Sequence, residues 1–187
     1  MSNEALFAHL HKLTEQLGAE HVQALVDRVE PCGIEQGTVL IRDQAPMDAF
    51  YLLLEGTLAL SIELDGHTIQ LGELRPGNWV GEVAYLSGSQ TACATVTATS
   101  EAKLARLSYR DFEAMVAEDP IAACRLMNGF ILMLIRRLRA TANDPILDPD
   151  GQFHILGDLS VPWEDLVQHR HSVLAFFKRL LGGADAA

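Results

Sequence analysis

The strongest constraint on the fold of this chain is a change of hydrophobic period near residue 34 and a second change near residue 108. Between Ile34 and Leu107, short aliphatic and β-branched runs alternate with turns at Gly37, Gly56, Gly66, Gly72, Gly77 and Gly88. Residues 38–41, 49–54, 57–64, 67–71, 93–97 and 103–107 read as strands. Asp65-Gly66 sits between two of these runs, a strong signal for a tight hairpin. Many short strands at close spacing predict an antiparallel sandwich or roll rather than alternating strands and helices.

Helical periods flank this region. Leu6, Leu10, Leu13, Leu17, Val22, Leu25, Val26 and Val29 recur at helical spacing over residues 4–28, with Gly18 as a break and Pro31 as a stop. Ser108 is suited to cap a short helix reaching Val116, and Asp119-Pro120 to open a longer one reaching Ala140. In that longer helix Met127, Ile131, Leu134 and Leu138 lie four, three and four apart, a heptad-like seam. Its neighbours Phe130, Leu132, Met133 and Ile135 are apolar as well. The helix therefore has two apolar faces to bury, one on its own roll and one on a second copy of the chain, and a homodimer is expected. Burial wholly within one chain is the alternative.

The organisation expected is N-terminal helices over 1–30, a roll with closing helices over 31–140, a linker over 141–162 and an amphipathic helix over 163–181. The last helix groups Trp163, Leu166, Val167, Val173, Leu174, Phe177, Leu180 and Leu181 on one face. It can fold back on the roll or the dimer helix, which is the preferred reading. It can instead dock in a groove of a partner protein, or touch a membrane surface.

Composition narrows the function classes. The chain has 187 residues and a net charge of −11, which opposes unaided nucleic-acid binding because a basic footprint is needed to displace counterions. The three cysteines, Cys32, Cys93 and Cys124, lack metal-ligand spacing and are expected as small core hydrophobes in a reducing compartment. No signal peptide is visible, and the apolar run over 129–135 is too short to span a bilayer; a cytoplasmic protein is expected. His169 and His171 are two apart and fall on the last helix, where that spacing separates them onto different faces. No catalytic or metal site is assigned, and an enzyme is not expected.

The chemistry concentrates in one segment. The stretch LRPGNWVGEVAYLSG over residues 74–88 is followed by Ala92-Cys93-Ala94-Thr95-Val96. With the Gly37 and Gly56 spacing and the closing helices, this order resembles the cyclic-nucleotide-binding domain family, across roughly residues 29–140. The resemblance implies a mainly β fold with flanking helices: an antiparallel, jelly-roll-like β-roll followed by a long C-terminal dimerisation helix. It also implies a pocket built from Gly81, Glu82, Val83 and Ala84 with Thr91, Ala92, Cys93, Ala94 and Thr95. Glu82 resembles the family carboxylate that accepts a hydrogen bond from a ribose hydroxyl.

The family's phosphate-binding arginine is missing. Its place falls on Thr91 without a gap or on Ala92 with one extra residue, and no Lys or Arg occurs between Pro76 and Ala102. A charge-assisted hydrogen bond contributes about 1.5–3 kcal/mol, or roughly ten- to hundredfold in affinity. Glu82 is expected to keep a negative charge in the pocket with no cation beside it, unless Arg75 or a partner chain reaches in, while Thr91 offers a hydroxyl. The resemblance names cyclic AMP or cyclic GMP as ligand, but the missing arginine counts against both, so no cofactor is assigned. A DNA-binding domain is not expected either: residues 143–187 hold seven acidic and three basic side chains in one linker and one helix. The function expected is a non-enzymatic regulatory module that senses a small ligand and passes a change of shape through its C-terminal helices to a partner. The alternative is a ligand-independent dimeric scaffold that presents the last helix.

Overall fold

A computed structural model describes residues 19–143 apart from Asp65, with side chains described from His21 to Arg137. The early part of the N-terminal helical segment, the linker over 141–162 beyond Asn143 and the helix expected over 163–181 lie outside the described residues.

Eight strands form two four-stranded antiparallel sheets. One sheet has the order β1 (Glu30–Ile34), β8 (Ala102–Ser108), β3 (Ala49–Glu55), β6 (Trp79–Val80). The other has β2 (Val39–Ile41), β7 (Thr95–Ala98), β4 (Leu58–Leu64), β5 (His67–Leu74). The helices are α1 (Ala19–Val26), α2 (Glu82–Leu86), α3 (Tyr109–Glu118) and α4 (Pro120–Asn143). This is the roll with flanking helices that the change of period implied.

Two strands escaped the sequence reading. β1 contains Pro31 and Gly33, residues that argue against a strand interior. It is nevertheless a strand because it pairs on one side only, with β8, where a proline is tolerated. β6 has two residues, too few to show a period. β7 begins at Thr95, so Cys93 precedes the strand rather than standing inside it.

The core is organised around Phe50 on β3, which lies between β8 and β6 and is almost wholly buried. The Phe50 ring meets Tyr85 of α2, Tyr109 and Phe112 of α3, and Phe130 of α4, with ring centroids 4.7–5.3 Å apart. One aromatic side chain thus joins a sheet to three helices, including the one that follows Gly81.

Local chemistry sets the helix ends. Ser108 accepts a 3.0 Å bond from the Asp111 amide and starts α3. Asp119 accepts a 3.0 Å bond from the Ala122 amide, and Pro120 takes the first turn of α4, where its missing N–H costs nothing. The same Asp119 carboxylate meets His21 Nδ1 at 2.8 Å, and Arg28 pairs with Glu118. The segment around α1 is thereby fixed to the corner between α3 and α4.

The phase of α4 differs from the expected seam. Ala123, Leu126, Met127 and Phe130 face the roll and are buried, Met127 with 5% of its surface exposed. Ile121 is 56% exposed and Ile131, Leu132 and Ile135 about 40%. Met127 therefore belongs to the intrachain core, and Leu134 is half-buried, while the Leu138 side chain lies outside the described ones. The outward stripe runs instead through Ile121, Cys124, Asn128, Ile131 and Ile135, spaced three, four, three and four. Apolar residues on several faces of this helix hide its phase from a sequence reading, because several heptad frames fit the same residues.

Candidate ligand-binding site

The turn after β5 delivers Trp79 and Val80 to the edge of β3, where Leu52 pairs with Trp79 and Tyr51 with Val80. The chain then bends sharply at Gly81, with φ +94. A Cβ at this position would stand 2.5 Å from the Ala49 carbonyl oxygen, so glycine is required both for the backbone angle and for the close approach. The Tyr109 hydroxyl donates a 2.7 Å bond to the Gly81 carbonyl and fixes the bend from the α3 side. Burial and the neighbouring Glu82 charge hold the Tyr109 hydroxyl well above its ordinary pKa, so it remains a donor. After the bend α2 carries Glu82 inward, where it is 1% exposed.

A cavity open to solvent lies above this bend. Ile41, Met47, Leu60, Val80 and Val96 line it, together with the 81–84 and 92–94 segments and Arg137 of α4. The structure brings together Gly81, Glu82, Val83, Ala84, Ala92, Cys93 and Ala94 as cavity lining. Thr91 and Thr95, grouped with them on sequence grounds, are not among the lining residues. The Thr91 hydroxyl donates to the Ser89 carbonyl at 3.1 Å, so it is engaged within its own loop. Thr95 Oγ1 accepts a 3.1 Å bond from the Asp43 amide. The Ala92 amide donates to the Ala45 carbonyl at 2.9 Å, which pins this segment to the 43–47 loop.

The largest departure from the sequence reading is electrostatic. Glu82 was expected to stand without a cation, yet Arg137 reaches it from α4, 55 residues away. One terminal nitrogen of Arg137 donates to Glu82 Oε1 at 2.5 Å and the other to the Trp79 carbonyl at 2.6 Å. The Trp79 amide in turn meets Met133 Sδ at 3.5 Å, a second tie between α4 and β6. Arg75, the cation considered from the sequence, is exposed and pairs with Glu73. Burial pushes the Glu82 carboxyl above its ordinary value of 4.5, against the opposing pull of Arg137. Burial and then the Glu82 charge push the Cys93 thiol up, which leaves it a protonated wall group rather than a nucleophile. Arg137 did leave a trace in the sequence: it follows Phe130 by seven residues, which places it on the same face of the helix.

A cyclic phosphate does not fit the residues present. Ala92 lines the cavity without charge, and Thr91 lies off it. Among the described residues Arg137 is the one cation in the lining, and it is engaged by Glu82 and Trp79. The cavity wall is otherwise almost entirely apolar.

Comparison with known proteins agrees with this architecture. Residues 33–119 match the family described as the cyclic nucleotide-binding domain. Over 93 residues the chain is 33% identical to a cAMP-dependent protein kinase regulatory subunit of Dictyostelium discoideum, covering 48% of this chain and 28% of that protein. The chain spans only 28–32% of the length of the first curated relatives it matches. A cyclic nucleotide-binding domain from Methylobacillus flagellatus superimposes with a TM-score of 0.63 at 18% identity, over 67% of this chain and 70% of that one, a likeness of fold. The Thermus thermophilus catabolite activator protein superimposes with a TM-score of 0.59 at 26% identity, over 71% of this chain and 60% of that one. Residues 33–119 thus match the cyclic nucleotide-binding domain family in sequence, and the roll matches solved domains of that type in fold.

Proposed function

We propose that this chain is a non-enzymatic regulatory module in which the state of the cavity sets the position of α4. The observation that carries this reading is the Glu82–Arg137 pair, which joins the cavity floor directly to the long helix. A ligand that engages Glu82 competes with Arg137 or reinforces it, and either action biases how the distal half of α4 rests on the roll. To act as a switch the ligand must favour one of two positions of α4 over the other. The Asp119-Pro120 corner is tied to the segment around α1 and the near half of α4 is packed in the core, so the movement falls on the distal half beyond Phe130.

α4 also offers a surface to a second copy. The stripe Ile121, Cys124, Ile131 and Ile135 is exposed on one chain, and a twofold pairing of α4 with its twin covers it. The homodimer, placement in the cytoplasm and transmission through residues 163–181 to a protein partner belong to this proposal, as does the absence of direct DNA binding. Among the described residues no helix is long and apolar enough to cross a membrane. A ligand-independent scaffold is the second reading. It is favoured by the fact that the Glu82–Arg137 pair holds α4 down with protein atoms alone.

The test is amide hydrogen exchange along α4 in the whole chain, comparing wild type with Glu82→Gln. Loss of the charged partner is expected to speed exchange of the amides near residues 131–137 by about tenfold, with the roll strands unchanged. Unchanged exchange in α4 would mean that the cavity does not control the helix.

A further inference from the structure

We propose that the cavity takes an uncharged, mainly apolar small molecule bearing a hydroxyl group, not a cyclic phosphate. The inference rests on the reading of the chain as a ligand-sensing module and names the ligand that the cavity would admit.

Three observations converge. First, the walls from β2, β4 and β7 present Ile41, Leu60 and Val96, and Met47 and Val83 add further apolar surface. Such walls return nothing to a charged group for the water it gives up. Second, the charges at the cavity already cancel. Glu82 is 1% exposed and bonded to Arg137, so the floor is a neutral pair rather than an anion receptor. A phosphate must then approach a carboxylate without a free cation, or break the pair and strand Glu82. Missing one charge-assisted bond alone lowers affinity by about ten- to hundredfold. Third, Ala92 fills the place of the missing arginine with a methyl group on a segment locked to the 43–47 loop by the Ala92–Ala45 and Gln44–Ala92 backbone bonds. The change enlarges the apolar wall where the family resemblance puts a phosphate clamp.

What remains for polar recognition is small. A carboxylate accepts several hydrogen bonds and Arg137 satisfies part of that capacity, so one ligand hydroxyl can donate to Glu82 without separating the pair. An apolar body with one hydroxyl is the simplest molecule that meets both the walls and the floor.

The experiment titrates the whole chain, labelled with ¹³C at Ile, Leu, Val and Met methyl groups, with 2-naphthol and separately with cyclic AMP. The expected result is saturable shifts of the Ile41, Leu60, Val83 and Val96 methyls with naphthol, at an affinity at least about tenfold above that for cyclic AMP. In Ala92→Arg the preference is expected to reverse, naphthol weakening and cyclic AMP strengthening. The wild-type titration decides the matter even where that variant does not fold. Tighter binding of cyclic AMP by the wild type would overturn the ligand class and leave the sensing module standing. Shifts confined to exposed methyls such as Ile121 and Ile135 would show surface adsorption and overturn it as well. Silence from both probes overturns the ligand class, and exchange in Glu82→Gln, which uses no ligand, then reports separately whether the coupling of cavity to α4 survives.

Discussion

Gly81 and Glu82 show how two adjacent residues can serve opposite needs. Gly81 is required by backbone geometry: its φ is +94 and an added methyl group would strike the Ala49 carbonyl at 2.5 Å. Gly81→Ala is expected to cost at least about 2 kcal/mol in chemical denaturation. Glu82, by contrast, is costly to bury and is retained with a partner from a distant helix. Its pH behaviour follows from burial. With a folded-state pKa raised above 4.5, the native chain holds this proton more tightly than the unfolded chain. Stability from this group is then full below about 4.5 and falls as pH rises through the folded value. The difference in unfolding free energy between wild type and Glu82→Gln, measured in urea across this range, is expected to move against the wild type as pH increases. A difference that stays flat would show that Arg137 fully offsets the burial. At this scale the sequence points to the carboxylate directly and to its partner only through the helical spacing of Arg137 from Phe130. The glycine and glutamate stand side by side in a short motif, whereas Arg137 meets them only after the chain has folded across 55 positions.

Elements with a strong signal of their own were legible: six of the eight described strands, the Ser108 start of α3 and the Asp119-Pro120 start of α4 were all placed to within a few residues. β1 and β6 were not, one because an edge position tolerates a proline and the other because it has two residues. α4 was legible as a helix but not in its rotation about its own axis. Apolar residues on several faces of α4 leave its phase open, and packing of Phe130 against Phe50 and Trp79 selects the face that turns inward. The resulting stripe through Ile121, Cys124, Ile131 and Ile135 carries the prediction for assembly. Ile131→Glu is expected to halve the mass in sedimentation equilibrium while leaving the fold intact, since residue 131 is exposed on the single chain. Met127→Glu is expected instead to unfold the domain, because Met127 is buried in its own core. A monomeric wild type would remove the dimer from the account.

On the scale of the molecule, the roll and its closing helices form a frame with one adjustable part. The hydrophobic core from Phe50 to Phe130 fixes the near half of α4, and the corner at residues 118–119 is held by the segment around α1 through Arg28 and His21. Beyond Phe130, Met133 and Arg137 tie α4 to the β6–α2 segment that lines the cavity. A change in the cavity therefore has a short physical route to the helix that carries the proposed dimer surface. The most direct measurement of that route is a double-mutant cycle of Glu82→Gln and Arg137→Gln, read as the free energy of opening of α4 by amide exchange. The account predicts a coupling of about 1 kcal/mol or more between the two positions. Additive effects, with no coupling, would contradict it and leave the cavity and the helix as independent parts of the fold.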